Sequence, residues 1–427
     1  MYKNVIMLKA SALYIVIIIA LVIGLLCSSL IVAAYFYKME YQRKFRYDRL
    51  ANNVSSGVNI LLTNADSSYS NGKALSLFGN DADSILLKQI SWGLYDVGVS
   101  EAFIQKDTLF KVFSFASSID SSKWAAIYLI DEDRPFSLSG KTTIRGDAYI
   151  PKAGVQQAYI DNKAYQGDKR LIIGTRHLSE KKLPVLNEKR LRQLEQYFRQ
   201  GASGDSTLLQ GDSIQRSFLL PARYVNFKKK AQTIKAIKIG GNIVLYSDTT
   251  IIIDGTAVLN NILVFAKSIS VKSGFHGNCQ LFATDSIRID SNCRFDYPSC
   301  LGILRFKSER VSMNEKISLA GKTDFNGIIF TYDKTETPPK PSIEIGKESR
   351  IKGQIYSQGL LELKDQSEVD GSIFTSRLIY RNSFTLFENY LINTTIDSKA
   401  LSPYYLTSEL MPVAKKKKKV LQWLEGN

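Results

Sequence analysis

The stretches SIEIGKESRIKGQIYSQG and LLELKDQSEVDGSIFTSR follow one another directly and keep every apolar position in step. Eighteen residues separate Ile343 from Leu361, Ile345 from Leu363, Ile351 from Val369, Gly353 from Gly371, Ile355 from Ile373 and Tyr356 from Phe374. The same spacing relates Leu263 to Leu281, Ser268 to Ser286, Ile269 to Ile287 and Val271 to Ile289. A fixed period of this kind means one structural unit stacked on copies of itself, because a single unit cannot bury its own apolar face. Within each unit apolar residues alternate with polar ones, which predicts short strands with one face in and one out. Eighteen residues divide into three sides of about six, so the pattern predicts a triangular β-helix with strands stacked about 4.8 Å apart.

A further pair of segments shares a phrase: SLSGKTTIRG at 137–146 and SLAGKTDFNG at 318–327. Leu138, Gly140, Lys141, Thr142, Ile144 and Gly146 match Leu319, Gly321, Lys322, Thr323, Phe325 and Gly327. Gly327 and Gly353 lie 26 residues apart, one period plus the proline-containing loop DKTETPPK at 333–340. Gly-Lys-Thr also invites comparison with a phosphate-binding loop. That loop needs a glycine five residues before the glycine of its Gly-Lys pair, and here the position is Pro135, which lacks the N–H a phosphate cradle would use. The motif therefore reads as a corner of the repeat.

The chain begins very differently. From Ala10 to Tyr37 no charged residue interrupts a run that includes LYIVIIIALVIGLL, and about 20 apolar residues suffice to cross a bilayer. Tyr35, Phe36 and Tyr37 mark an interfacial aromatic belt. Basic residues follow at Lys38, Arg43, Lys44, Arg46 and Arg49, against Lys3 and Lys9 before the run, and the positive-inside rule then favours a cytoplasmic body. Leu50, Val54, Val58 and Leu61 recur at helical spacing and predict a helix that packs on the rest of the protein.

The expected fold is mainly β. A leader or cytoplasmic segment (1–9) precedes a single N-terminal transmembrane helix (10–37), a juxtamembrane amphipathic helix (38–66) and a membrane-proximal small α/β region (67–134). The β-helix, a β-solenoid with coils of about 18 residues, then occupies 135–381, and a C-terminal capping segment (382–427) carries a lysine run and covers its far end. ISWGLYDVGVSEAFI, KVFSFASS and WAAIYLIDED read as antiparallel strands of the α/β region. EKRLRQLEQYFRQ (188–200) reads as a helix inserted in the solenoid, with Leu191, Leu194 and Phe198 on one face and Gly201 ending it.

Two resemblances attach to these residues. KASALYIVIIIALVIGLL, continued by EYQRKFRYDRLANNVSSGVNILL, resembles the start of PilX-like minor pilins and pseudopilins of type IV pilus and type II secretion machines. The resemblance implies a bacterial cell-envelope protein, single-pass in the inner membrane, with its body in the periplasm or outside the cell. Its implied partners are the inner membrane and other pilus or secretion-apparatus subunits, or further copies of itself. Major pilins carry a glutamate near the start of the mature helix, and none stands there after a Lys9-Ala10 leader junction. The repeat, in turn, is similar to the rungs of bactofilins, polymer-forming scaffolds built as triangular β-helices. That likeness offers the alternative of a membrane-tethered scaffold with a cytoplasmic body.

Chemistry is sparse. His177 and His276 are far apart, and Cys279, Cys293 and Cys300, with Cys27 inside the span, form no Cys-x-x-Cys pair, so no metal site, cofactor site or catalytic residue is expected. One disulfide among Cys279, Cys293 and Cys300 is open to the chain only in an oxidising compartment. Asp254 and Asp290 are two coils apart with Lys272 between them, which suits no shared calcium ion. The net charge is +16, densest in the five lysines at 415–419 and the three at 228–230. Such charge suits anionic lipid, an anionic envelope polymer or nucleic acid. No aromatic residues interleave with these lysines, so sequence-specific nucleic-acid binding is not expected. The reading is a non-enzymatic protein that acts through assembly contacts.

Overall fold

A computed structural model describes residues 10–63, 69–77, 84–120, 124–203, 211–306, 315–335 and 339–426. The proposed leader segment, and residues 64–66 and 336–338 of two expected elements, lie outside the described residues. The protein is mainly β, with one long N-terminal apolar helix and a small further helical part.

The apolar run and the amphipathic segment form a single helix, α1 (Ala10–Thr63), of 54 residues, about 80 Å long at 1.5 Å per residue. Its apolar part is exposed, from Leu13 through Tyr37. Its last four turns are not. Leu50, Val54, Val58 and Leu61 are buried at 3.6-residue spacing against an antiparallel sheet of β1 (Lys73–Ser76), β2 (Ser84–Trp92), β3 (Tyr95–Ile104) and β4 (Asp107–Ile119). Ile85, Leu87, Ala102, Phe113 and Phe115 supply the sheet's side of this core. The Ser100 hydroxyl donates to the Val54 carbonyl at 2.9 Å, pinning helix to sheet.

The remaining β-structure is almost entirely parallel: most of it forms one connected set of pairings that closes on itself, and Phe136–Ser139, Val155–Gln157 and Tyr390–Ile392 form a separate three-stranded sheet. Its registers follow the sequence period: Ile269 lies beside Ile287, Ile351 beside Val369, Gly353 beside Gly371 and Ile355 beside Ile373. Where the chain is longer the register absorbs it, so Phe325 pairs with Ile351 and Gly327 with Gly353. The inward residues form one aliphatic column that includes Ile287, Ile329, Ile355 and Ile373. Outward residues of one side, among them Phe265, Phe282, Phe330 and Tyr356, build a second apolar layer shared with Trp92, Tyr95 and Val97 of the antiparallel sheet.

Spatial order departs from chain order. The strand Ala125–Leu129, expected in the antiparallel region, pairs in parallel with 373–375 and with 147–149. Residues 143–145 pair with 395–397, which in turn pair with 368–370, and 148–150 pair with 176–178. The first segment of the parallel body therefore lies beyond its last repeat. From there the chain returns to the opposite end, where 213–216 pair with 238–241. Helix α2 (Glu188–Ala202) lies on this return and packs on the outer apolar layer. Asn187 caps it, its side-chain oxygen accepting from Arg190 N at 3.1 Å. The helix continues through Gly201, and Tyr197 is buried along with Leu191 and Leu194. Phe198 is only half-buried and sits edge-on to Phe265 at 4.9 Å.

The C-terminal segment divides between the two β-structures: its first part lies on the last repeat, where 386–388 pair with 379–381, and its last part joins the antiparallel sheet. Residues 395–397 join the parallel ladder. The strand Lys415–Gly426 runs antiparallel to β4, placing Trp423 opposite Phe113 with ring centroids 5.6 Å apart. Val420 and Trp423 need apolar neighbours, and β4 offers Phe113 and Phe115 along one open edge.

Candidate functional site

The Gly-Lys-Thr phrases are turns between strands. In both copies the threonine hydroxyl donates to a carbonyl three residues back, Thr142 to Ser139 at 2.6 Å and Thr323 to Ala320 at 2.8 Å. Lys141 N donates to Asn393 Oδ1 at 2.9 Å, so the amide a phosphate would need is already bonded. The Lys141 side chain is exposed. Gly327, Gly353 and Gly371 take φ of +149°, +145° and +154°. A Cβ on Gly371 would stand 1.8 Å from Gly353 O, and one on Gly353 1.9 Å from Gly327 O. Each glycine thus lets the carbonyl of the adjacent repeat approach. Leu138, Ile144, Leu319, Ile345, Ile351, Leu363 and Val369 are buried in the aliphatic column. Gly140 and Gly146 abut side chains of the C-terminal segment, Asn393 and Ser398, while Gly321 abuts the Lys347 carbonyl.

Cys279, Cys293 and Cys300 are buried and free, and no disulfide joins them. Cys279 and Cys293 lie in the inner column whereas Cys300 belongs to the outer layer, so Cys300 faces away from both. Burial pushes all three thiols above their usual range, which keeps them protonated and unreactive. His276 Nε2 lies 2.6 Å from Asp296 Oδ2, and His177 stacks on Tyr149 at 4.8 Å. Lys272 Nζ lies 3.4 Å from Asp290 Oδ2, while Asp254 accepts from Thr256 N and Oγ1. Among the described residues no group of three His, Cys, Asp or Glu side chains could hold a metal.

Two cavities flank α2. One of 960 Å³ is lined by Phe198, Arg199, Tyr246, Lys267 and Arg305 among others. Arg305 is buried there and pairs with Glu315 at 3.0 Å and Asp333 at 3.5 Å. The other, of 280 Å³, borders Arg190, Asp96, Gln193 and Glu409. Arg190 bonds both Asp96 carboxylate oxygens, at 3.0 and 2.7 Å, and the Tyr95 carbonyl at 3.1 Å. Arginine at this position was not legible as a site, since on the helix pattern it is one basic residue among four in 188–200. Its geometry clamps α2 to β3.

The largest exposed apolar surface is α1 itself. Leu13, Ile17, Leu25, Leu30, Ile31 and Tyr35 are all exposed, followed by the basic collar from Lys38 to Arg49, in which Arg46 pairs with Asp107 at 2.7 Å. Water does not accommodate such a surface, and by length and composition the helix can cross a membrane.

Fold and surface together define a mainly β protein with an N-terminal apolar helix of membrane-spanning length. No protein-family model matches the chain, and no curated protein does. Among solved structures, the crystal structure of the competence-associated pilin ComZ from Thermus thermophilus is similar over 91% of this chain and 95% of that one, with 11% identity and a TM-score of 0.19.

Proposed function

We propose that this is a non-enzymatic envelope protein, anchored by α1 in the inner membrane with its body outside the cytoplasm. It acts as an accessory pilin-like component of a type IV pilus or type II secretion-like apparatus, through assembly contacts. One observation carries the reading: a single unbroken helix is exposed over its apolar half and packed on the body over the rest. A helix so built joins the span to the folded domain without a hinge, so lateral contacts made in the membrane position the body directly. The body is read as a β-helix of 18-residue coils, supported by the parallel registers of that offset and by the continuous aliphatic column. The five basic residues after the span favour a second reading, a bactofilin-like scaffold with a cytoplasmic body.

The test is a photo-crosslinking amino acid placed at exposed Ile23 of the full-length chain in cells. The assembly reading expects adducts with other chains that carry a similar apolar N-terminal helix. Adducts with lipid alone would sink it.

A further inference from the structure

At one end of the parallel body, seven cations fall within a stretch of chain that has no acid of its own. Between Asp212 and Asp248 the chain contains neither aspartate nor glutamate. The cations fall at the corners of the terminal turn. Arg216 and Arg223 flank the first corner, the lysines at 228–230 form the second, and Lys235 and Lys238 flank the third. The five lysines are exposed. Among the described residues none of the seven makes an ion pair, whereas elsewhere on the body Lys316 bonds Glu344 and Arg350 bonds Asp370. Of the nearby acids, Asp254 is bonded by Thr256 and Asp248 by the Tyr246 hydroxyl at 3.0 Å, and Glu425, reaching the first corner from the C-terminal strand, accepts from Phe218 N at 2.7 Å and from the Ser217 hydroxyl.

This end is also an open one. Among the described residues, Ser213–Arg216, Arg223–Asn226 and Gln232–Ile234 each pair on one side only, with 238–241, 243–246 and 251–253. Lysines can guard such an edge against stray strands, but guards are placed on the strands themselves. Here the strands carry only Arg216 and Arg223, at their ends, and the Arg216 guanidinium is turned to the Pro221 carbonyl. The lysines stand at the corners, separated by strands and turns roughly five residues long, or about 17 Å. Charges so spaced cannot converge on one small anion and suit an extended one. Lysine's compact ammonium meets a tetrahedral phosphate oxygen from any direction, while planar carboxylates favour the arginine fork.

We propose that this open end binds a linear phosphodiester polyanion, whose successive phosphates meet the corner lysines. Binding is electrostatic and indifferent to what the phosphates connect. The site is separate from α1 and does not depend on the assembly reading.

The test uses the full-length chain in detergent micelles, with a labelled oligothymidylate as the phosphodiester probe and fluorescence anisotropy as the readout. The expected result is binding that weakens with salt. In the Lys228→Gln, Lys229→Gln, Lys230→Gln variant it should weaken at least about tenfold, with the log–log salt slope flatter by about 2, as loss of three single-strand phosphate contacts requires. Lys141→Gln with Lys347→Gln, exposed lysines elsewhere on the body, should change neither quantity. A glycerol-phosphate polymer should compete with the probe. Unchanged binding in the triple variant would overturn the proposal, as would equal competition by polyglutamate. Capture by anionic vesicles through these lysines without probe binding would assign the end to a membrane instead.

Discussion

Replacing Gly371 by alanine isolates the contact that lets one repeat lie on the next. Two costs arise there. The φ of +154° is one that residues with a Cβ rarely adopt, worth about 1–3 kcal/mol. The new methyl would also meet Gly353 O at 1.8 Å and Gly353 C at 2.8 Å. Those atoms are backbone of the adjacent repeat and cannot rotate aside, so the ladder must shift, at about 1–3 kcal/mol more. The total is roughly 4 kcal/mol. Gly274 provides the comparison, since it has φ +82° but nothing within 4 Å of its Cβ position. Gly274→Ala should therefore cost only the conformational part, about 1–2 kcal/mol. Denaturant unfolding of both full-length variants in detergent measures the difference. Equal losses would refute the argument, because they would mean that no carbonyl of a neighbouring repeat sits over Gly371.

Four other perturbations test the packing. Ile373→Asp should cost several kcal/mol by burying an unpaired carboxylate in the aliphatic column. Ser357→Asp should also be costly, because Ser357 lies within the strand Arg350–Leu363, fully buried with its hydroxyl on the Leu360 carbonyl. Asp96→Asn should cost about 3 kcal/mol in unfolding experiments by leaving the buried Arg190 charge without its partner. Glu362, opposite Glu344 in the ladder, has its pKa raised by burial and then by that neighbour. A raised carboxyl pKa favours the protonated folded state, so this group's contribution to stability is lost as pH rises from the usual carboxylate range through the folded value. Glu362→Gln should accordingly raise the melting temperature at pH 7 and leave it unchanged below the carboxylate range.

What could be read from the sequence follows from which contacts are periodic. Ile269 with Ile287, and Ile355 with Ile373, are partners in the ladder because stacking repeats the same inward position at the same chain interval. The order of the stack has no such signal. Ile127 pairs with Ile373, some 250 residues away, and Ile396 with Ile144. Any alternating apolar strand satisfies a parallel edge, so the pattern of WAAIYLIDED does not distinguish an antiparallel sheet from the end of the parallel body. The lysine run at 415–419 reads as solvated charge, yet it opens a strand on β4 with Lys418 Nζ 5.5 Å from the Phe115 ring centre. Long lysine stems can lie along apolar surface while their charges stay wet. Cysteine spacing, likewise, does not reveal that Cys300 faces the opposite side of the sheet from Cys279.

The side of the membrane on which the body works tests the account most directly. The full-length chain should carry alkaline phosphatase or a fluorescent protein at its C-terminus, and spheroplasts should be treated with protease. An external body predicts active phosphatase, a dark fluorescent fusion exported through the Sec route, and digestion of the residues beyond Lys38 with the apolar helix spared. Inactive phosphatase, bright fluorescence and a protected body would contradict it and make the cytoplasmic scaffold the reading to pursue.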